Sequence, residues 1–116
     1  MKLLIVGSRS ITDFDLTKYI PTGVDLIISG GARGVDSLAE QYADKNRISK
    51  LVLRPNYVKY GKAAPLIRNK QMVDIADKVI VFWDGISKGS AQTIEYAKSI
   101  GKEIVIITPI EKNTTL

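Results

Sequence analysis

Cysteine and histidine are both missing from this chain of 116 residues. Without cysteine it forms no disulfide and offers no thiolate to zinc. Without histidine it builds neither a Ser-His-Asp triad nor a Cys-His dyad, and it supplies no imidazole to a metal. Any chemistry falls to carboxylates, arginine, lysine, tyrosine or hydroxyl groups, and neither a metal nor a cofactor is expected. Long apolar runs are lacking too: none in the sequence approaches the roughly 20 residues needed to cross a membrane. The opening run Met1-Lys2-Leu3-Leu4-Ile5-Val6-Gly7 superficially resembles a signal peptide. It is too short for one, and Arg9 and Asp13 follow closely, so it reads as a first strand. A cytoplasmic protein with no membrane partner is the default expectation.

What remains is ample for one folded domain. Apolar residues make up 45% of the chain, which argues against disorder. No repeat, low-complexity stretch or linker divides it. The domain is expected over residues 1–110, with residues 111–116 as a loose tail. The net charge of +5, from 17 basic and 12 acidic side chains, favours anionic partners without choosing among them.

Five short runs rich in Val, Ile and Leu predict strands: Leu3 to Val6, Leu26 to Ile28, Leu51 to Leu53, Val79 to Trp83 and Ile104 to Ile107. They do not alternate with polar residues, as expected for strands covered on both faces. Between them, helical spacing gathers Val35, Leu38, Ala39, Tyr42 and Ala43 on one face. Ala64, Arg68, Met72 and Ile75 form a second stripe, and Ala91, Ile94 and Ala97 a third. Thr12 to Ile20, with an Asp-rich first turn and Pro21 as its stop, predicts a further short helix. Strands alternating with helices imply right-handed βαβ units, hence an α/β fold with a doubly wound parallel sheet. In such a sheet a ligand sits beyond the carboxyl ends of the strands, where the strand order reverses.

The residues just after each predicted strand are therefore the informative ones. Gly7-Ser8-Arg9-Ser10 follows the first. Gly7 permits a sharp turn, Ser8 and Ser10 can bond an oxyanion or cap a helix, and Arg9 offers a bidentate donor. Ser29-Gly30-Gly31-Ala32-Arg33-Gly34-Val35-Asp36 follows the second, with three glycines in five positions. Such a loop exposes backbone N–H groups at the positive end of a helix. Its spacing is neither the dinucleotide fingerprint nor a Walker loop. Asp36 falls in the first helical turn, where the dipole favours a carboxylate. Arg54-Pro55 ends the third strand, and Tyr57, Lys59, Tyr60, Gly61 and Lys62 follow. That stretch suits either stacking on a base or sugar, or a flexible solvated lid. Arg68 lies on an otherwise apolar stripe and needs a partner, whether a bound anion, Asp36 or Asp84. After the fourth strand come Asp84-Gly85 and then Gly89-Ser90, a second helix N-terminus able to take phosphate, with Ser90 alternatively an N-cap. The two glycine-bearing loops are expected to face each other. Four of the five arginines, Arg9, Arg33, Arg54 and Arg68, fall at this one edge.

These segments, together with Tyr60-Gly61, Arg68-Asn69, Met72, Ala76-Asp77 and Trp83-Asp84-Gly85, resemble the SLOG superfamily from residue 3 to about residue 107. In particular they look like its stand-alone domains related to YspA and YpsA. The resemblance implies a Rossmann-like, three-layer domain of about five strands that binds or senses a nucleotide or nucleotide-derived ligand, and a homodimer. The implied contacts are Gly7, Ser8, Arg9, Ser29, Gly30, Gly31, Arg33, Gly34 and Asp36 on one side. Asp84, Gly85, Gly89 and Ser90 stand on the other, with Arg68 and Asn69 closing the site. Backbone N–H groups are expected to hold phosphate, Arg9 and Arg68 to neutralise it, and Asp84 to receive a ribose hydroxyl.

Two relatives within the superfamily suggest other functions. The lysine decarboxylase-like phosphoribohydrolases release a base from a nucleoside monophosphate. Arg68, Met72 and Gly89-Ser90 match their motifs, but their glutamate falls at Thr93. Glu95 is two residues on, roughly 200° around a helix, and does not substitute. Asp84 and Arg68 are then the remaining catalytic candidates. The DNA-processing protein A family binds single-stranded DNA. It shares the Gly-x-Arg, the glycine loop and the Arg-Asn, and the positive charge fits. Its expected histidine is replaced by Glu40.

Overall fold

The computed structural model describes residues 1–12 and 14–108. Asp13 and the expected tail at 111–116 lie outside the described residues. Five strands form one sheet: β1 (Lys2–Gly7), β2 (Leu26–Ser29), β3 (Ser49–Val52), β4 (Lys78–Phe82) and β5 (Glu103–Ile107). Every pairing is parallel, and the order is β3-β2-β1-β4-β5. Three long helices cover it: α1 (Val35–Lys45), α3 (Ala64–Ile75) and α4 (Lys88–Ser99), with the single turn α2 (Tyr57–Tyr60) before α3. This is the three-layer, Rossmann-like α/β fold. Among the described residues no helix is long and apolar enough to cross a membrane.

The sheet separates two cores. On one face Leu3, Ile5, Ile27, Ile80 and Phe82 pack against Val35, Ala39 and Ala43 of α1. On the other, Leu4, Ile28, Val79 and Val81 pack against Met72 and Val73 of α3 and Ile94 and Ala97 of α4. Adjacent residues of one strand thus serve opposite cores, which is why the central runs show no polar alternation. Edge strand β5 departs from that expectation, since Val105 and Ile106 are 38% and 40% exposed. The other edge strand, β3, begins two residues before its apolar run, at Ser49 and Lys50. An edge tolerates them, and the Lys50 ammonium pairs with Asp44 at 2.9 Å.

The helix expected over Thr12 to Ile20 does not form; only the 3-10 turn Thr17–Tyr19 is present. The Asp15 carboxylate accepts the Thr17 N–H at 3.0 Å, a local bond that competes with a helical turn. The segment docks through rings instead. Phe14 stacks on Tyr19 at 5.7 Å, and both lie edge-on to Phe82, at 5.0 and 5.6 Å. The stretch read as a loop around Tyr57 is helical. Asn56 Oδ1 caps α2 by accepting the Lys59 N–H at 3.1 Å, and a 3-10 turn, Gly61–Ala63, leads into α3. The α3 stripe also runs differently at its end. Ala64 and Met72 are buried while Ile75, the last residue of α3, is 36% exposed; Ala76 beyond it is extended and turns into the core.

Candidate functional site

The strand order reverses between β1 and β4, and a cavity of about 400 Å³ opens at their carboxyl ends. Its base is tied together across the two strands. The Asp84 N–H donates to Ser8 Oγ at 3.1 Å, and Ser10 Oγ donates to Asp84 Oδ2 at 2.9 Å. Asp84 Oδ1 accepts the N–H groups of Ile86 and Ser87, both at 2.8 Å. Two backbone donors and a hydroxyl favour the anion, so the Asp84 pKa falls to about 2. Asp84 is thus a fixed carboxylate acceptor and unsuited to donating a proton at neutral pH. Gly85, at φ +85°, turns the chain back toward α4.

Gly7 has a role other than the expected sharp turn. Its φ is not positive; a Cβ there would lie 2.3 Å from the Val35 side chain. The missing side chain lets α1 sit close on β1. Gly34, at φ +76°, does make the turn into α1, and a Cβ on it would approach the Ile11 carbonyl oxygen to 2.8 Å.

The glycine loop is largely self-satisfied. The Gly31 N–H donates to Ser29 Oγ at 3.2 Å, and the Ala32 N–H to Asp36 Oδ2 at 3.1 Å. Ser29 Oγ in turn donates to Glu40 Oε2 at 2.8 Å. Glu40 stands one helical turn after Asp36, so the two carboxylates share a face of α1. Asp36 is only 7% exposed, and burial raises its pKa above the ordinary carboxyl value, against the opposing pull of the Ala32 N–H and Arg68. It still lines the cavity.

Arg68 reaches from α3 under this loop. Its Nη1 donates to the carbonyls of Gly30 at 2.7 Å and Leu53 at 3.0 Å, and its Nε to Asn69 Oδ1 at 2.8 Å. Gly30 permits this approach: a Cβ there would meet Arg68 Nη1 at 2.8 Å. A guanidinium has five N–H donors. Three are spent here, and the Nη2 pair has no protein acceptor among the described residues. No orphaned buried polar side-chain atom is found among them, so Nη2 is open to solvent. Burial lowers the Arg68 pKa while Asp36 opposes the shift.

The opposite wall is the start of α4. Ser87, Gly89 and Ser90 line the cavity, no side chain caps the helix, and its first turn contains no acid. The α1 terminus differs, because Asp36 already occupies it. Unoccupied helix N–H groups at a positive dipole end favour an anion.

Of the residues expected from sequence, Gly7, Arg9, Asp36, Arg68, Asn69, Asp84, Gly89 and Ser90 line this cavity. Loops after β2 and β4 do face each other across it. Gly30 and Gly31 line an adjoining cavity of about 330 Å³. Ser8, Ser29, Gly34 and Gly85 support the walls from outside either cavity. Arg33 is exposed and lines neither. Ser87 and Pro65 are wall residues that the sequence reading did not assign. Ser87 was recognisable as the residue preceding a helix, and Pro65 as a first-turn proline. Thr93 is buried and bonds the Gly89 carbonyl of its own helix at 3.1 Å, so it presents nothing to the cavity. Comparison of the chain with known protein families, with characterised proteins and with solved structures finds no match.

Proposed function

We propose that this domain binds a nucleotide or nucleotide-derived phosphorylated ligand in the cavity between the ends of β1 and β4, and acts as a binding or sensing module. The observation that carries this reading is the mixture of groups on one wall-to-wall cavity. Arg9 and Arg68 face it together with the carboxylates Asp36 and Asp84 and the uncapped start of α4. A bare anion is served by the arginines and helix N–H groups but repelled by the two carboxylates. A phosphorylated nucleoside uses both, presenting phosphate to the cations and ribose hydroxyls or base N–H groups to the carboxylates. The volume of about 400 Å³ falls within the roughly 300–1,000 Å³ of small-molecule sites.

The assignment of roles follows from what each group has free. Phosphate belongs at the Gly89 and Ser90 amides of the first turn of α4 and the open Nη2 of Arg68, not at the Ser87, Gly31 and Ala32 amides, which are already paired. Asp84 receives a hydroxyl on its remaining lone pairs. Hydrolysis has weaker support, since Thr93 faces inward and Asp84 is held ionised.

A thermal-stability screen against nucleoside mono-, di- and triphosphates tests the reading. A ligand at about a hundred times its Kd stabilises by about 2.7 kcal/mol. Arg9 is exposed and braces nothing, so Arg9→Ala leaves the unliganded midpoint unchanged and removes the ligand-dependent shift. No shift with any nucleotide, or a shift indifferent to Arg9→Ala, rejects the proposal.

A further inference from the structure

The adjoining cavity has a different chemistry. It is lined by Arg9, Arg54 and Arg68, with Tyr57 and the Gly30–Gly31 backbone, and no carboxylate faces it. Among the described residues no arginine takes part in a salt bridge; the ion pairs are Met1–Asp25, Lys50–Asp44 and Lys78–Glu103. Three unpaired guanidinium groups around about 330 Å³ repel one another, and the Arg9 charge acts on Arg68 in that sense. Arg54 is nonetheless held in place. Its Nη1 donates to the Gly31 carbonyl at 3.2 Å, and Gly31, at φ +74°, has no Cβ to obstruct it, since one would lie 2.7 Å from that nitrogen. Asp36 acts on Arg68 from the first cavity, but three like charges around a concavity that no carboxylate lines describe an anion subsite.

The two cavities share Arg9 and Arg68 in their lining, so they lie side by side as one composite site. Its ends are set by the strand order. Arg54 follows β3, but its guanidinium reaches back to the Gly31 carbonyl after β2, and the start of α4 follows β4, two spacings from β2 in the order β3-β2-β1-β4. At about 4.8 Å per spacing that is roughly 10 Å. The phosphates of a diphosphate are far too close together to reach both ends.

Resting on the nucleotide reading above, we infer that Arg54 and the second cavity form a separate phosphate subsite, and that the ligand is a nucleotide carrying a second phosphate remote from the first. One phosphate lies at the α4 start, the nucleoside between the carboxylates of the first cavity, and the other phosphate beneath Arg54. Arg9 and Arg68 stand between them.

Calorimetric titration separates this inference from the reading it rests on. The probes are the nucleoside 5′-monophosphates, 5′-diphosphates and 3′,5′-bisphosphates of adenosine, guanosine, cytidine and uridine, linear dinucleotides with a 5′-phosphate, and a single-stranded oligothymidylate. The expected result is that a bisphosphate or dinucleotide binds at least about tenfold more tightly than the matching monophosphate, the worth of one charge-assisted hydrogen-bonded contact. Arg54→Ala should remove that advantage and leave monophosphate affinity unchanged, while Arg54→Lys keeps part of it. Arg54 is exposed and makes one bond, so an unaltered unfolding midpoint for Arg54→Ala will show an intact fold. Equal affinity for mono- and bisphosphates, or an Arg54→Ala effect equal on both, overturns the inference and leaves the nucleotide site standing. Binding by no nucleotide overturns both, and binding of the oligothymidylate alone replaces the small ligand with a nucleic acid.

Discussion

The guanidinium of Arg68 occupies the space that a side chain at residue 30 would fill. Its Nη1 lies 2.7 Å from the Gly30 carbonyl oxygen, and a Cβ on Gly30 would come within 2.8 Å of the same nitrogen. The glycine therefore admits a cation of the protein itself. A glycine-rich loop is usually read as making room for a ligand's phosphate. Here the room at Gly30 and Gly31 is taken by Arg68 and Arg54, which carry charge to the cavities that adjoin the loop.

Gly30→Ala should accordingly displace Arg68 from the carbonyls of Gly30 and Leu53. The lost charge-assisted bonds are worth about 2 kcal/mol, to be read from the urea unfolding midpoint. Nucleotide binding should fall with them. A Gly30→Ala variant of unchanged stability and unchanged ligand response would show that Arg68 finds an equivalent position.

Gly7→Ala and Gly89→Ala should move stability in opposite directions. At Gly7 the obstacle is the branched Val35 side chain at 2.3 Å, which has no free end to swing aside. Overpacking of this kind costs about 1–3 kcal/mol. At Gly89, within α4, a Cβ meets nothing within 4 Å, and alanine favours a helix over glycine by about 1 kcal/mol. Gly89→Ala should raise the unfolding midpoint while weakening phosphate binding, because the methyl group stands where the ligand approaches the helix start.

Asp84 should leave a signature in acid. Its folded pKa is about 2, below the unfolded value near 3.9. A depressed acid pKa contributes stability that is complete above the unfolded value and is lost as pH falls through the folded one. Urea unfolding between pH 5 and 2 should thus steepen its decline below about pH 4, and Asp84→Asn should flatten it. Asp36 acts with the opposite sign. Its pKa is raised by burial, so its contribution declines as pH rises from the unfolded value through the folded one.

The positions of β1, β2 and β4 were readable because central parallel strands are wholly apolar, as Leu3, Leu4 and Ile5 or Val79, Ile80 and Val81 are. The start of β3 was not, since Ser49 and Lys50 sit on an edge where apolarity is not required. At the site, the convergence of Arg9, Asp84 and Ser90 follows from their places after β1 and β4, and that of Arg68 from its place on the apolar stripe of α3. The pairing of Gly31 and Ala32 amides with Ser29 and Asp36 did not, because local side-chain bonds compete with a ligand for the same donors and their outcome depends on rotamers. Thr12 to Ile20 misled for a related reason: its acidic first turn and Pro21 suggest helix ends, but the Asp15 carboxylate takes the Thr17 N–H and the rings of Phe14 and Tyr19 dock on Phe82.

The bond from the Asp84 N–H to Ser8 Oγ joins residues 76 positions apart in the chain. A polypeptide still emerging from synthesis, and ending before β4, already possesses β1, the glycine loop and α1. It has neither the carboxylate of Asp84 nor the helix start at Ser87, and β1 has no neighbour on that side. On the nucleotide reading proposed above, ligand capture begins only when the fourth strand has docked, so the earliest moment of binding would date the closure of the sheet.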